Sequence, residues 1–293
     1  MIGLSAVGFA GKSPQASLRK VAVPVLAPLV ILLGLPILIQ FGSPAPFPSK
    51  TNSGPLRIMT YNIHNGFNMN GQLDLESLAQ VIETEQPDLV ALQEVSRGWV
   101  VNGSVDMLDW LSRRLRLPYH HFSPASDSLW GHAVFSRYPI RLAEDHPLPP
   151  PNLPLRRGFA YLQVETGQLA PLYFINTHLH HKEADSAIRM TQVAAILEFL
   201  SERKINNDTP TVILTGDFNA QPDSPEIKLL YDYGFHDAVI NAQMTPGYTF
   251  DSVEPTKRLD YLLISPNQTV MDVDIPASNA SDHLGIAATI IQN

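Results

Sequence analysis

The stretch TVILTGDFNAQPDSP, residues 211–225, decides how this chain is read. Val212, Ile213 and Leu214 make a short apolar run of the kind found in a strand buried on both faces. The run stops at Gly216, presents Asp217 and Asn219 on either side of Phe218, and passes into a Pro-marked turn. Other strand-like segments end in the same way. MTYNIH ends with Asn62, VALQEV with Glu94, and FINTHL with Asn176 and His178, while RLDYLL carries Asp260 and ASDHLG carries Asp282 and His283. One such ending is ordinary turn chemistry or a solvated carboxylate. Six in one chain are not, because turns favour Gly, Pro and Ser as readily as Glu and His.

The residue types point to a chemistry. Glu94, Asp282 and Asn62 are hard oxygen donors, suited to Mg²⁺ or Mn²⁺. The chain has no cysteine and its histidines do not stand in an HExxH frame, which weakens a zinc-hydrolase reading. His283 with Asp260 offers an imidazole held by a carboxylate. Asp217 is suited to orienting or deprotonating a water, and Asn219 to donating hydrogen bonds to a developing oxyanion. A cation on one side, donors on the other and an activated water describe hydrolysis of a phosphate ester.

Asn62, LQEV, NTHL, GDFN, RLDYLL and SDHLG stand in an order and spacing that resemble the endonuclease/exonuclease/phosphatase superfamily, over residues 56 to 293. Its members include deoxyribonuclease I, abasic-site endonucleases, neutral sphingomyelinases and inositol polyphosphate phosphatases. The resemblance implies a four-layer α/β sandwich, two packed mixed sheets flanked by helices, with the site at the strand ends. It makes Glu94 the principal metal ligand with Asn62 close by and Asp282 helping to hold the ion. Asp217 would position the nucleophilic water and Asn219 would bind phosphate beside it. His283 would act on the scissile phosphate with Asp260, and His178 on the phosphate or leaving group. WGHAVFSRYPI departs from the common pattern, because His132 stands where Asn is usual. His132 is either a phosphate donor or a tolerated substitution lining the pocket. Arg156 and Arg157 either meet an anionic head group or form structural ion pairs. His180 and His181 are expected at the surface or rim.

Alternating helical and strand-like periods support the α/β class. Helical spacing is expected at DLESLAQVIETEQ with Asp74 near the cap, at DMLDWLSRRLRL, at EADSAIRMTQVAAILEFLSERK and at SPEIKLLYDYG. The 293 residues carry a formal charge of −8, unevenly spread. Residues 1 to 55 hold four bases and no acid, so the remainder carries −12. An acidic domain is a poor partner for duplex DNA. Arg113, Arg114 and Arg116 form a local basic cluster, read here as a solvated helix face.

Val21 to Phe41 contains no charged residue and as a helix would span roughly 30 Å, one hydrocarbon core. The competing readings are a buried core helix or a cleaved signal peptide, whose apolar region is usually shorter and whose cleavage site GSPAPFPS would serve poorly. The expectation is a cytoplasmic segment 1–20, a transmembrane helix 21–41, a Pro/Ser-rich linker 42–55 and a catalytic domain 56–293. The apolar segment 2–11 is too short to span, and would be the remnant of another span if the chain is one part of a larger membrane protein. Lys12, Arg19 and Lys20 precede the span, so the positive-inside rule places the domain extracytoplasmically on a single-pass protein. NGSVDMLDWLSRRLRLPY and WGHAVFSRYPI are similar to a membrane-linked branch that includes a protein of GPI-anchor lipid remodelling. The favoured partners are therefore the membrane and a lipid or head-group phosphodiester or phosphomonoester. An extracytoplasmic nuclease and a non-catalytic accessory domain of a larger membrane protein are the alternatives. Protease added to intact spheroplasts should digest the domain, whereas protection until lysis would reverse the orientation.

Overall fold

The computed structural model describes residues 54–168, 170–205 and 211–292. Among them no helix is long and apolar enough to cross a membrane, and the expected span at 21–41 lies outside them.

Twelve strands form two six-stranded sheets. The first holds β1 (Leu56–Asn62), β2 (Leu89–Ser96), β3 (Tyr119–Asp127), β4 (Trp130–Ser136), β11 (Gln268–Asp274) and β12 (Ile286–Gln292), in the order β11-β12-β1-β2-β4-β3. The second holds β5 (Ile140–Leu148), β6 (Arg157–Val164), β7 (Leu172–His178), β8 (Val212–Asp217), β9 (His236–Asp237) and β10 (Asp260–Ile264), in the order β5-β6-β7-β8-β10-β9. Both are mixed: β1 runs parallel to β2 and β7 to β8, and the other pairs are antiparallel.

Helices α1 (Leu75–Glu85) and α2 (Met107–Leu115) bury Leu78, Ile82, Leu111 and Leu115 against the outer face of the first sheet. Helices α3 (Ser186–Glu202) and α4 (Pro225–Tyr233) bury Val193, Ile196, Ile227 and Leu230 against the outer face of the second. The result is four layers, helices–sheet–sheet–helices. Start signals in the sequence are used as expected: Asp74 accepts from the Ser77 N–H at 3.0 Å and so caps α1. Gly234, at φ 113, closes α4 in the left-handed region. The arginine cluster resolves into ion pairs, Arg113 with Asp109 on α2 and Arg114 with Glu76 and Glu83 of α1. Such exposed pairs add little stability each.

Between the sheets lie Leu56, Ile58, Leu89, Ala91, Val134, Leu162, Phe174, Ile213, Leu262 and Ile286. The period of two along each strand continues inward past these apolar residues to polar ones: Thr60 and Asn62 on β1, Gln93 on β2, His132 on β4, Asn176 and His178 on β7, Asp217 on β8. Two of them tie the sheets together. The Gln93 side chain donates to Asn176 Oδ1 at 2.7 Å and to Thr60 Oγ1 at 3.1 Å. Asn176 in turn donates to the carbonyls of Leu92 at 3.0 Å and Ala133 at 3.2 Å. All lie in buried surroundings, where a lost partner leaves its mate unsatisfied.

Four strands were not expected from the sequence: β3, β5, β9 and β11. All four are sheet edges among the described residues. β3 carries Pro124, β5 carries Pro147, β9 has two residues, and β11 exposes Asp272 and Asp274. β3, β5 and β11 also break register at a bulge.

Asn176→Leu should destabilise the domain by about 3 kcal/mol or more in urea unfolding, because it strands Gln93 and two carbonyls in the dry layer. A loss below about 1 kcal/mol would show that the bridge does not hold the sheets.

Candidate active site

The site lies at the end of the inter-sheet layer where the inward positions turn polar. Parallel β7 and β8 pair His178 opposite Asp217. They approach so closely at Gly216 that a Cβ there would lie 2.0 Å from the Thr177 carbonyl. Glycine is therefore required next to the carboxylate. Asp217 is buried and surrounded by donors. Asn62 Nδ2 donates to its Oδ2 at 2.9 Å, the Asn219 N–H to its Oδ1 at 2.9 Å, and His178 Nε2 lies 3.3 Å from Oδ2. Burial pushes its pKa up to about 7, against the opposing charge of His283.

His283 comes from the loop before β12, held by a β-bridge to Phe250. Its Nδ1 meets Asp260 Oδ2, on β10, at 2.8 Å, and its Nε2 lies 3.7 Å from Asp217 Oδ2. Burial opposes its charge, but the carboxylates of Asp260 and Asp217 overcome this and raise its pKa to about 10. His283 is therefore an imidazolium at neutral pH. His178 is the opposite case, held neutral by burial and by the charge of Arg157.

Glu94 is reached differently. By period it would face outward, but it is the extra residue of a bulge between Gln93 and Val95, at φ 58. A glutamate in the left-handed region is strained, and the bulge re-aims its carboxylate. There it accepts from Asn65 Nδ2 at 2.7 Å, and Asn65 Oδ1 accepts from Trp130 Nε1 at 2.7 Å. Burial and then the charge of Asp282 raise its pKa. Asn62 sits beside this group with its amide engaged, Oδ1 accepting from the His64 N–H at 3.0 Å. Asp282 is partly exposed, 3.7 Å from His64 Nδ1.

Asp217, Asp260 and His283 present ligand atoms within 4.8 Å of one another. His283 Nδ1 is already engaged by Asp260 at 2.8 Å, and the two oxygens of Asp217 accept from Asn62 and from the Asn219 N–H, which leaves little free for a cation. Glu94 and Asp282 suit one better: both are carboxylates of hard oxygen, the charge of Asp282 disfavours that of Glu94, and the Asn62 oxygen retains one lone pair.

Arg157, on β6, is buried with its guanidinium 5.4 Å above the Trp130 ring and Nη2 3.4 Å from His181 Nδ1. Its Nε and Nη1 have no hydrogen-bond partner, and burial lowers its pKa to about 10 while Glu94 and Asp217 favour its charge. Arg156 instead reaches outward to the Ser126 carbonyl.

Two expectations need correcting. His180 is not at the rim: it is buried, with Nε2 2.8 Å from Asp185 Oδ2, and its N–H donates to Gln192 Oε1 of α3. His181 is exposed, as expected. His132 lies beneath the site rather than in its wall, wholly buried with Nε2 donating to the Gly158 carbonyl at 3.1 Å. Its other nitrogen has no partner, and its ring centre is 6.4 Å from that of His178. The sequence reading missed Asn65, Trp130 and Gln93. The inward parity of Trp130 and Gln93 on their strands was the available signal.

A cleft of about 390 Å³ opens beside His283 and Asn219, lined also by Gln221, Asp223, Phe250 and Lys257. A cavity of about 420 Å³ near Ile82, Leu115 and Arg137 lies at the opposite end of β2 from Glu94, away from these groups.

The sequence pattern of the Endonuclease/Exonuclease/phosphatase family matches residues 59–283. The chain belongs to this family. Its hydrolases act on phosphoester bonds and typically use a divalent metal. The fold is shared with an endonuclease/exonuclease/phosphatase from Beutenbergia cavernae (TM-score 0.69, 23% identity, 82% of this chain and 72% of that one). It is shared too with the human nocturnin catalytic domain bound to a sulfate anion (0.65, 22%, 85% and 96%). A mannosyl-6-phosphatase from Bacteroides thetaiotaomicron is also similar (0.66, 19%, 80% and 99%).

His132 makes folding acid-sensitive. Burial, with the charge of Arg157 acting the same way, lowers its pKa from 6.5 to about 3, so between these values the unfolded chain binds a proton that the native one does not. Stability is then lost as pH falls below 6.5, by about 2 kcal/mol at pH 5. In His132→Asn the drop in urea-unfolding free energy between pH 7.5 and 5 should be smaller by about that amount. An unchanged drop would place the proton elsewhere.

Proposed function

We propose that this chain is a membrane-anchored, Mg²⁺- or Mn²⁺-dependent phosphoric ester hydrolase acting on a lipid or head-group phosphate ester, with its domain on the extracytoplasmic side. One observation carries the hydrolase reading: Arg157 is a buried guanidinium with Nε and Nη1 unpaired, within the field of Glu94 and Asp217. A buried cation without a bonded counter-ion is costly, and here it suits an arriving anion. The acidic balance of residues 56–293 and the uncharged stretch 21–41 favour a lipid ester over nucleic acid.

Held by Glu94 and Asp282, with Asn62 beside them, a divalent cation would neutralise charge on the phosphate. Asp217 accepts a proton from the attacking water as its oxygen bonds to phosphorus and the bond to the leaving oxygen breaks. Asn62 fixes one carboxylate oxygen of Asp217 and the Asn219 N–H fixes the other. His283, kept charged by Asp260, and Arg157 donate to the phosphoryl oxygens, on which charge develops.

The test uses bis(p-nitrophenyl) phosphate and phospholipid vesicles. Glu94→Ala and excess EDTA should each abolish turnover, with Mg²⁺ or Mn²⁺ restoring the wild type; full activity in chelator would remove the metal from the proposal. Arg157→Met should lower kcat/KM by about two to three orders of magnitude. The same change should leave stability unchanged or higher, since an unpaired buried charge is relieved. Unchanged turnover in Arg157→Met would end the phosphate-binding assignment. DNA cleavage with no turnover of lipid phosphates would replace the substrate class.

A further inference from the structure

Beside the site stands an apolar tip. Val100 and Val101 are 85% and 78% exposed, the most exposed large hydrophobic side chains among the described residues, and neighbouring Leu129 is 42% exposed. Scattered apolar side chains on a surface are ordinary. These are adjacent and rigidly held. Across the neck of their loop the Gly98 N–H donates to the Val105 carbonyl at 2.9 Å and the Ser104 N–H to that of Trp99 at 2.8 Å. Gly103, at φ 70, closes the turn with its N–H on the Val100 carbonyl at 3.1 Å. Arg97 and Asp106 pair at 2.9 Å below.

The loop is clamped to the β3–β4 hairpin. The Arg97 N–H donates to the Leu129 carbonyl at 2.7 Å, and Trp99 Nε1 to Asp127 at 3.2 Å. Trp99 stacks on Trp130 with ring centres 6.0 Å apart and planes 10° apart. Trp130 is the ring that lies under Arg157 and donates to Asn65, the residue holding Glu94. The tip is thus joined to the site through the Trp99–Trp130 stack.

We propose that this tip inserts into the interfacial layer of a bilayer and sets the depth at which the site meets head groups. The choice of a bilayer rests on the membrane reading above. The chain itself argues for that occupant. Its uncharged stretch 21–41 is followed by the linker 42–55, which joins β1 at Leu56, the end of that strand away from Asn62. Seven strand residues rise about 23 Å, whereas some fourteen linker residues can extend to about 46 Å. The residue count alone leaves the site end of the sandwich able to face a bilayer, where something must hold it. Two adjacent exposed valines supply the hold, each favouring the apolar phase by on the order of tenfold or more.

The absence of cysteine permits a single label at will. Full-length Val101→Cys, carrying an environment-sensitive fluorophore, is reconstituted into phosphatidylcholine/phosphatidylglycerol vesicles with and without nitroxide lipids. Met271→Cys, 58% exposed on edge strand β11, is the control. The proposal expects blue-shifted emission with nitroxide quenching at least threefold stronger at 101 than at 271. The Val100→Ser/Val101→Ser variant should turn over bis(p-nitrophenyl) phosphate within twofold of wild type. Three results would each overturn the insertion: water-like emission at 101, equal quenching at both positions, or a shift that follows protein density without nitroxide quenching, as a second copy on the tip would give. The label reads insertion whether or not an ester is cleaved. A negative result therefore leaves the hydrolase reading untouched, and a catalytically silent protein leaves the insertion testable.

Discussion

Gln93 and Asn176 meet across the dry layer between the sheets, and the rest of the site depends on that contact. Apolar side chains alone tolerate small slips of one sheet over another, because burial is non-directional. A buried amide pair does not, since a shift of one position strands several polar groups. Gln93 precedes Glu94, and Asn176 lies two residues before His178. Fixing this pair brings Glu94 and Asn62 of one sheet and the Asp217–His178 pair of the other to the same level.

Above that lock the molecule accepts arrangements that stability alone would not favour. Glu94 sits in a strained bulge, Arg157 is buried with nitrogens unpaired, and Asp217 is pushed toward the protonated form by burial. These features share one end of the inter-sheet layer. An arriving anion would satisfy the unpaired nitrogens of Arg157, and a cation would ease the charge of Glu94 beside Asp282. Asp260 with His283 shows the complementary device, in which the carboxylates keep an imidazole charged in a buried place.

Legibility in the sequence followed burial. Interior strands, apolar on both faces, stood out as runs, and their polar ends marked the site; His283 and Asp260 do meet, at 2.8 Å. The strands that escaped notice, β3, β5, β9 and β11, have a partner on one side only among the described residues, so proline, charge and register breaks are tolerated in them and blur the alternation. Glu94 was recognised by type, but its direction was hidden, because a bulge is a property of two strands and not of one. His180 was misplaced for a similar reason: its partners, the half-buried Asp185 and the buried Gln192, come from the segment that follows and pack back on it. Asn65 is found only when the chain is folded, since its role is to join Trp130 to Glu94.

The guarded edges have a bearing on life in a crowd. Among the described residues two open sheets offer four flanks to any neighbouring copy, and main-chain groups on a flank are indifferent to which chain completes them. Here one flank is too short to template anything, two are interrupted by proline, and the fourth turns out a pair of aspartates against Arg57. Copies of this chain confined to a thin layer would collide far more often than in free solution. Domains with such flanks would part after each encounter instead of zipping into ribbons.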